Sequence, residues 1–372
     1  MQLFITVFFF IYFCSIFFYF LGLFKKQKTN HENHSINVSV IVCVRNGENS
    51  IINLLNNLKF QKHNGILEFI IVDDDSTDKT SAIIKNFIQS DNRFKYLNTK
   101  GYDSDLKHKK KALSMGISYA KFSMLMFTDV DCSFGEKWVS SVANNFYNND
   151  YIIGFSNIKP NNSFVSHFQS IDFKMLMFAT LGSTLNGYPM ACSGQNQAYK
   201  KSLYESINGF NDIKNILQGD DSIFLQLCIR KNKINVSFSE DSESYVTAKV
   251  HGSWKEFILQ RIRWSGDANI MWKYNYIFYI IIVSTFITNL SIPFLLAFYF
   301  IFNKYLYYTL LLISIKFILE FLLYLKGSKR FNKKINLNSF LIWFLLQPFY
   351  IIFVGCFSFF NNRFLWRGRI IS

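Results

Sequence analysis

The sequence predicts an α/β domain, with a mostly parallel sheet and helices on both faces, joined to transmembrane helices. Three observations carry this expectation. Residues 1–24, 276–302 and 335–362 contain no charged side chain, and each run exceeds the roughly 20 residues that cross a bilayer core. The stretch between the first two runs is of mixed polarity and holds most of the glycines and nearly all the carboxylates, at a size ordinary for a water-facing domain. Within that stretch, short β-branched apolar runs alternate with segments of helical periodicity, the pattern of parallel strands joined by helices.

Taken in order, residues 1–24 lack a basic start, a short apolar core and a small-residue cleavage site, so they read as an uncleaved anchor. NVSVIVCV (37–44) reads as a buried strand, and from Glu48 the positions Ile51, Ile52, Leu54, Leu55 and Leu58 change to helical spacing. LEFIIV (67–72) is a second strand, after which Asp78 restarts a helix carrying Ile83, Ile84 and Phe87. A helix near 109–120, a strand at 123–128 and a helix near 136–147 continue the alternation, so the water-facing domain is expected over 25–250. Residues 251–275 read as an amphipathic interfacial segment with Trp254, Phe257, Ile258 and Ile262 on its apolar side. Apolar segments at 276–302, 305–325 and 335–362 form a membrane region over 276–362, followed by a basic tail at 363–372. Pro348 divides the last segment into halves each too short to span, so the segment is either a broken pair that re-enters on the side it left or an ordinary span.

The formal net charge is +15, and its placement matters more than its size. Lys25, Lys26 and Lys28 follow the first apolar run, while Lys326, Lys329, Arg330, Lys333 and Lys334 separate two later ones. Basic residues beside membrane segments mark the cytoplasmic side. The chain is therefore expected to be integral to a bacterial inner, cytoplasmic membrane with its large domain in the cytoplasm. A further patch of Lys100, Lys107, Lys109, Lys110 and Lys111 lacks aromatic interleaving, so no nucleic-acid partner is expected. Cysteines at 14, 43, 132, 192, 228 and 356 form no CxxC pair, and the histidines show no HxxxH spacing. Any metal is expected to be a hard cation on carboxylates, because neither a GxGxxG nor a P-loop sequence is present to cradle phosphate.

Four constellations carry chemistry. TDVDC places Asp129 and Asp131 just past a strand, where two carboxylates at i and i+2 reach one cation; the competing role is a cap for the following helix. VDDDSTDKT gathers Asp73, Asp74, Asp75 and Asp78, whose mutual repulsion calls for hydrogen-bond donors such as a base edge or ribose, or for helix capping by Ser76 and Asp78. QGDDSIFLQL sets Asp220 and Asp221 before a helix, one as a cap and the other as a general base. QRIRW at 260–264 offers amide, cation and indole near the membrane, either for a ligand or as a head-group anchor.

Together with VSVIVCVRNGENSI, KHKKKAL, GQNQAYKKSLYESINGF and a terminal LWRGR, these motifs resemble, in order and spacing, a membrane-bound family-2 glycosyltransferase of the GT-A fold. The resemblance covers roughly residues 37 to 265 plus the tail. It implies a nucleotide-sugar donor, with Asp73 or Asp74 at the base near Arg45, Asn46 and Glu48. It implies that Lys109 is a donor-site lysine, although His108 stands where the related motif has glycine. Asp129 and Asp131 are the implied ligands of Mg2+ or Mn2+ and of the diphosphate, with Asp129 also counted among the donor-binding residues. Gly194 and Asn196 would lie near the donor sugar, Asp221 would be the catalytic base with Asp220 beside it, and Gln260, Arg263 and Trp264 match QxxRW.

The implied activity is inverting transfer of a sugar from a nucleotide-diphospho-sugar to a lipid, lipid-linked or other glycan acceptor at the cytoplasmic membrane face. A processive polysaccharide synthase shares QxxRW and is the nearest alternative. A non-enzymatic membrane protein or transporter on the same fold is another, supported by intramembrane Lys316 and Glu320.

Overall fold

The structure is a computed structural model that describes residues 2–27, 35–360, 364–366 and 369–371. Lys28, Arg363 and Arg367 lie outside the described residues.

Helix α1 (Gln2–Gly22) has 21 residues, about 31 Å at 1.5 Å per residue and enough to cross a hydrocarbon core. Strand β1 (Val38–Val44) follows, then α2 (Ile51–Lys59), which buries Ile51, Leu54, Leu55 and Leu58 along one face. Strand β2 (Leu67–Asp73) is buried throughout and leads to α3 (Thr80–Ile88) and the edge strand β3 (Phe94–Asn98). Helix α4 (His108–Tyr119) precedes β4 (Met124–Asp129), the short β5 (Ser133–Phe134) and α5 (Trp138–Ala143). Strands β6 (Tyr151–Gly154) and β7 (Ser156–Ile158) then give way to the 22-residue α6 (Phe164–Leu185). Strand β8 (Gln197–Lys200), α7 (Lys201–Ser206), α8 (Ser222–Lys231), β9 (Val236–Ser239) and β10 (Val246–Ala248) complete the α/β part. Four helices end the chain: α9 (Trp254–Ile270), α10 (Tyr276–Phe302), α11 (Leu306–Arg330) and α12 (Leu337–Phe360). Strands β11 (Phe364–Trp366) and β12 (Arg369–Ile371) pair in a two-stranded sheet.

The main sheet has the order β3-β2-β1-β4-β8-β6-β9. The first four strands are parallel, β8 runs antiparallel to both β4 and β6, and β9 is parallel to β6. The register sets Val44 opposite Asp73 and Cys43 opposite Asp129. The carboxylates that end β2 and β4 thus flank the end of β1, at the carboxyl edge where open parallel sheets take their ligands. A second sheet has the order β5-β10-β7.

The chain divides into two compact units, one comprising Met1–Lys26, Ile158–Met190 and Val250–Phe364, the other Gln27–Asn157, Ala191–Lys249 and Leu365–Ser372. Helix α6 therefore belongs with the membrane helices, although the sequence reading placed its residues inside a continuous 25–250 domain. The physical reason is a close crossing with α1. A Cβ added to Gly22 would lie 2.0 Å from the Gly182 carbonyl oxygen, and one added to Gly182 would lie 2.1 Å from that of Tyr19. Small residues let the two backbones meet in this way.

Helices α1, α10, α11 and α12 are long and apolar enough to cross a membrane. Polar groups inside this unit answer one another. Lys316 donates to both carboxylate oxygens of Glu320 at 2.9 Å and also to Gln347, and the Tyr12 hydroxyl donates to Glu320. The four side chains join α1, α11 and α12, so the intramembrane pair that could suggest transport is neutralised within the bundle. Of the two readings of the last segment, the continuous one holds: α12 runs unbroken through Pro348, as α10 does through Pro293. Within a membrane bundle, neighbouring groups and local adjustment re-satisfy the carbonyl that a proline frees.

Candidate active site

The loops after β1 and β2 are laced together. The Arg45 side chain is buried and donates to the carbonyl oxygens of Asp74 and Asp75, each at 2.6 Å. Asn46 accepts from the Thr77 amide at 2.8 Å, and Glu48 accepts from the Lys79 amide at 3.1 Å. Asn46 and Asp75 take positive φ of 47° and 56°, tolerated by short polar residues. Asp73 is fully buried. One oxygen accepts from the Ser76 amide at 2.9 Å, the other from Tyr96 at 2.8 Å and Asn98 at 3.1 Å. Asp74, also buried, accepts from Thr99 at 3.1 Å. Donors demanded by this acidic run are thus supplied in part by the fold itself, and Arg45 and Asp73 shape the loop from inside.

Helix α4 opens with His108 at φ 54°, the left-handed region that glycine enters without strain. The backbone at the histidine that replaces the expected glycine therefore retains a conformation glycine would take readily. One residue on, the Lys109 ammonium lies 3.0 Å from Asp129 and 2.9 Å from Asp220. Burial works against its charge, yet the two carboxylates outweigh burial and hold its pKa well above the ordinary lysine value. Gly194 completes the corner. A Cβ there would lie 3.3 Å from Lys109 Nζ, 3.5 Å from an Asp220 oxygen and 3.7 Å from an Asp221 oxygen.

Asp221 precedes α8 and accepts from the Ser222 amide with one oxygen and from the Gly194 amide at 3.3 Å with the other. Burial and the neighbouring Asp220 carboxylate push its pKa from 3.8 up to about 6, with Lys109 pulling the other way. The two sequence roles, cap and base candidate, therefore fall on one residue, while Asp220 faces the lysine. The Ser222 hydroxyl accepts from the Cys192 amide at 3.1 Å and donates to the Cys192 carbonyl at 3.0 Å. Burial raises the Cys192 thiol pKa, as it does for Cys43. All six cysteines are free.

Asn196 sits in the same loop but is committed elsewhere. Its amide donates to the carbonyls of Phe155 at 3.0 Å and Ser244 at 2.9 Å and accepts from Trp138 at 3.1 Å. A Cβ on Gly154 would lie 2.2 Å from it. Asn196→Ala is expected to destabilise the protein by about 2–3 kcal/mol through the stranded partners and to leave nucleotide affinity unchanged, as thermal unfolding and nucleotide titration would show. Loss of affinity at unchanged stability would restore Asn196 to the donor site.

Asp129 and Asp131 close β4 and the turn after it. Among the described residues, no group of three or more His, Cys, Asp or Glu gathers around a common point. Two hard carboxylates nevertheless fit a Mg2+ or Mn2+ ion whose remaining ligands are phosphate oxygens and water, the usual manner in which such ions are held with nucleotides.

Gln260, Arg263 and Trp264 lie on α9 in the other unit. Between them sits Arg261, which the sequence reading did not single out. It is buried, pairs with Asp172 at 2.7 Å and lies 4.2 Å over the Trp264 ring. Asp172 also accepts from the Trp343 indole at 3.2 Å, so one buried carboxylate on α6 ties α9 to α12.

Residues 39–207 match the family described as glycosyl transferase family 2. The chain carries a family-2 glycosyltransferase domain. No curated protein sequence matches the glycosyltransferase. Among solved structures, it is similar to the mannosyltransferase PcManGT from Pyrobaculum calidifontis, solved in complex with GDP-Man and Mn2+, at 15% identity and a TM-score of 0.60 over 94% of this chain and 95% of that one. It also aligns with TarS of S. aureus, at 18% identity and a TM-score of 0.41 over 68% of this chain and 42% of that one. A third alignment is to glucosyl-3-phosphoglycerate synthase from Mycobacterium tuberculosis, at 15% identity and 0.40 over 64% and 80%. The first of these likenesses extends a shared fold, the GT-A-like sheet domain together with the long helices, over nearly the whole chain.

Proposed function

We propose that this glycosyltransferase moves a sugar from a nucleotide-diphospho-sugar to a lipid or lipid-linked acceptor at the cytoplasmic face of the membrane, with inversion at the anomeric carbon. The observation that carries the reading is that Lys109 bridges Asp129 and Asp220 while Gly194 lies against Lys109, Asp220 and Asp221, close to the carboxyl edge of the parallel strands. The reaction breaks the bond between the anomeric carbon and the diphosphate and forms one to an acceptor oxygen. Negative charge therefore grows on one side and a proton must leave on the other.

Lys109 supplies fixed positive charge beside Asp129 for the first task. Asp129 and Asp131 would hold a divalent ion, which when bound neutralises diphosphate oxygens. PcManGT, which shares the fold, was solved with Mn2+ and GDP-Man. Asp221 is the base, because its pKa of about 6 makes it ionised near neutral pH and a better proton acceptor than an ordinary aspartate. Asp220 is engaged by Lys109, which leaves Asp221 as the carboxylate for the reacting centre and hence a single displacement. The four apolar helices support a lipidic acceptor, and the lysines following α1 and ending α11 support a cytoplasmic catalytic domain.

The test is incubation of membranes containing the protein with a panel of labelled nucleotide-sugars, followed by lipid extraction. Label entering a single lipid product that carries one sugar supports the reading, and water-soluble polymer alone would replace it with the processive one. Asp131→Ala is expected to abolish transfer and weaken metal-dependent nucleotide binding at least tenfold, since the diphosphate keeps an uncompensated charge. Unchanged metal dependence would remove Asp131 from the ligand set.

A further inference from the structure

The first turn of α4 carries Lys109, Lys110 and Lys111, although the positive end of a helix dipole disfavours cations there. Lys109 is accounted for by its two carboxylates. Lys110 is different: only 2% exposed, it ranks among the largest fully buried side chains. Its ammonium donates to the carbonyl oxygens of Ile216 and Gln218, the latter at 2.7 Å. A methionine would fill similar space without the cost of burying a charge.

The position of those carbonyls indicates what the charge does. Gln218 is followed by Gly219 at φ 88°, where a side-chain-bearing residue would be strained, and then by Asp220, Asp221 and α8. The chain turns sharply at Gly219, so the placement of the two carboxylates depends on where 216–218 is held. Adjacent residues of one helical turn therefore grip the same loop twice, Lys109 by the Asp220 side chain and Lys110 by the backbone.

We infer that Lys110 is a positioning residue, whose buried ammonium fixes the 216–221 loop so that Asp221 stands at the reacting centre. The inference rests on the assignment of Asp221 as base, and its test separates the two. Full-length protein in lipid nanodiscs is compared as wild type, Lys110→Met and Asp221→Asn. Nucleotide-sugar hydrolysis is followed with the donor selected from UDP-glucose, UDP-N-acetylglucosamine and GDP-mannose, and hydrogen exchange is read at the amides of 216–222.

Lys110→Met is expected to lower kcat about 10- to 100-fold with KM for the donor within about twofold. Exchange in 216–222 should quicken while β1, β2 and β4 stay protected. If Lys110→Met yields no folded protein, Lys110→Gln carries the measurement: it keeps two N–H donors without the charge and should show the same split at smaller amplitude. The inference is overturned if kcat per folded molecule is unchanged, or if 216–222 exchanges no faster than in wild type. It also falls if kcat, KM and protection of the whole sheet deteriorate together, the mark of a purely structural lysine. If Asp221→Asn keeps full turnover, the base assignment fails, and the exchange data alone then decide whether Lys110 holds the loop.

Discussion

Asp221→Asn is expected to lower turnover by roughly 10²- to 10⁴-fold, to leave nucleotide binding intact, and to make the protein more resistant to heat at neutral pH. The last effect follows from the direction of the pKa shift. A carboxyl whose pKa in the fold lies above its unfolded value stabilises the fold while protonated; that contribution is complete below the ordinary 3.8 and is lost as pH rises through about 6. At pH 7.5 the ionised group, pressed by burial and by Asp220, therefore weighs against folding by about 3 kcal/mol relative to its protonated form. Asparagine carries no charge to bury. The thermal midpoint of the variant should exceed that of the wild type at pH 7.5, with the difference shrinking towards pH 5. Equal midpoints at both values, or loss of nucleotide affinity, would mean that Asp221 is a cap or a ligand and not a strained base.

Lys109→Met is the second large effect, and it reaches both stability and rate. The ammonium stands between Asp129 and Asp220, and removing it leaves two carboxylates facing each other. Loss of a buried cation typically costs 3–5 kcal/mol. The Lys109 side chain is 27% exposed, so about 2 kcal/mol is the better expectation after solvent screening. Lys109 also draws the Asp221 pKa downward. In its absence the acidic limb of the pH–rate profile should move to higher pH, in addition to a fall in kcat. A limb that stays in place while stability falls would show that the lysine is a brace without electrostatic influence on the base.

Much of the catalytic unit is legible in the order of residues. The runs at 37–44, 67–72 and 123–128 are short, apolar and β-branched or bounded by turn residues, and they become β1, β2 and β4, with the acidic ends of β2 and β4 flanking β1. Other parts are hidden for identifiable reasons. The four residues of β8 are too few to show a period, and its antiparallel direction is set by its neighbours β4 and β6. Helix α6 carries Asp172 and Lys174 in a run otherwise suited to a soluble core, so nothing local reveals its place among the membrane helices.

At the site, the acidic positions were readable because carboxylates are costly to crowd. The inward commitments of Arg45, Asp73 and Asn196 were not readable, because they depend on carbonyls and amides far along the chain. Lys110 was concealed in a different way. Within a string of lysines it resembles a solvated patch, and only the fold distinguishes the lysine that points into the core from those around it.

The hydrogen bond from Tyr12 to Glu320 joins residues 308 positions apart, which bears on the order in which the membrane unit is finished. Helix α1 emerges before α11 during synthesis, yet its hydroxyl has no carboxylate to meet until α11 has followed, and Lys316 lacks its Gln347 contact until α12 is made. Helix α11 travels as a self-neutralised segment, its lysine and glutamate already paired one turn apart. Helix α1, made well before α11, is thus locked in place only after it. A foreign membrane anchor substituted for residues 2–22 would still tether the enzyme, but Glu320, buried within the unit, would have one donor fewer.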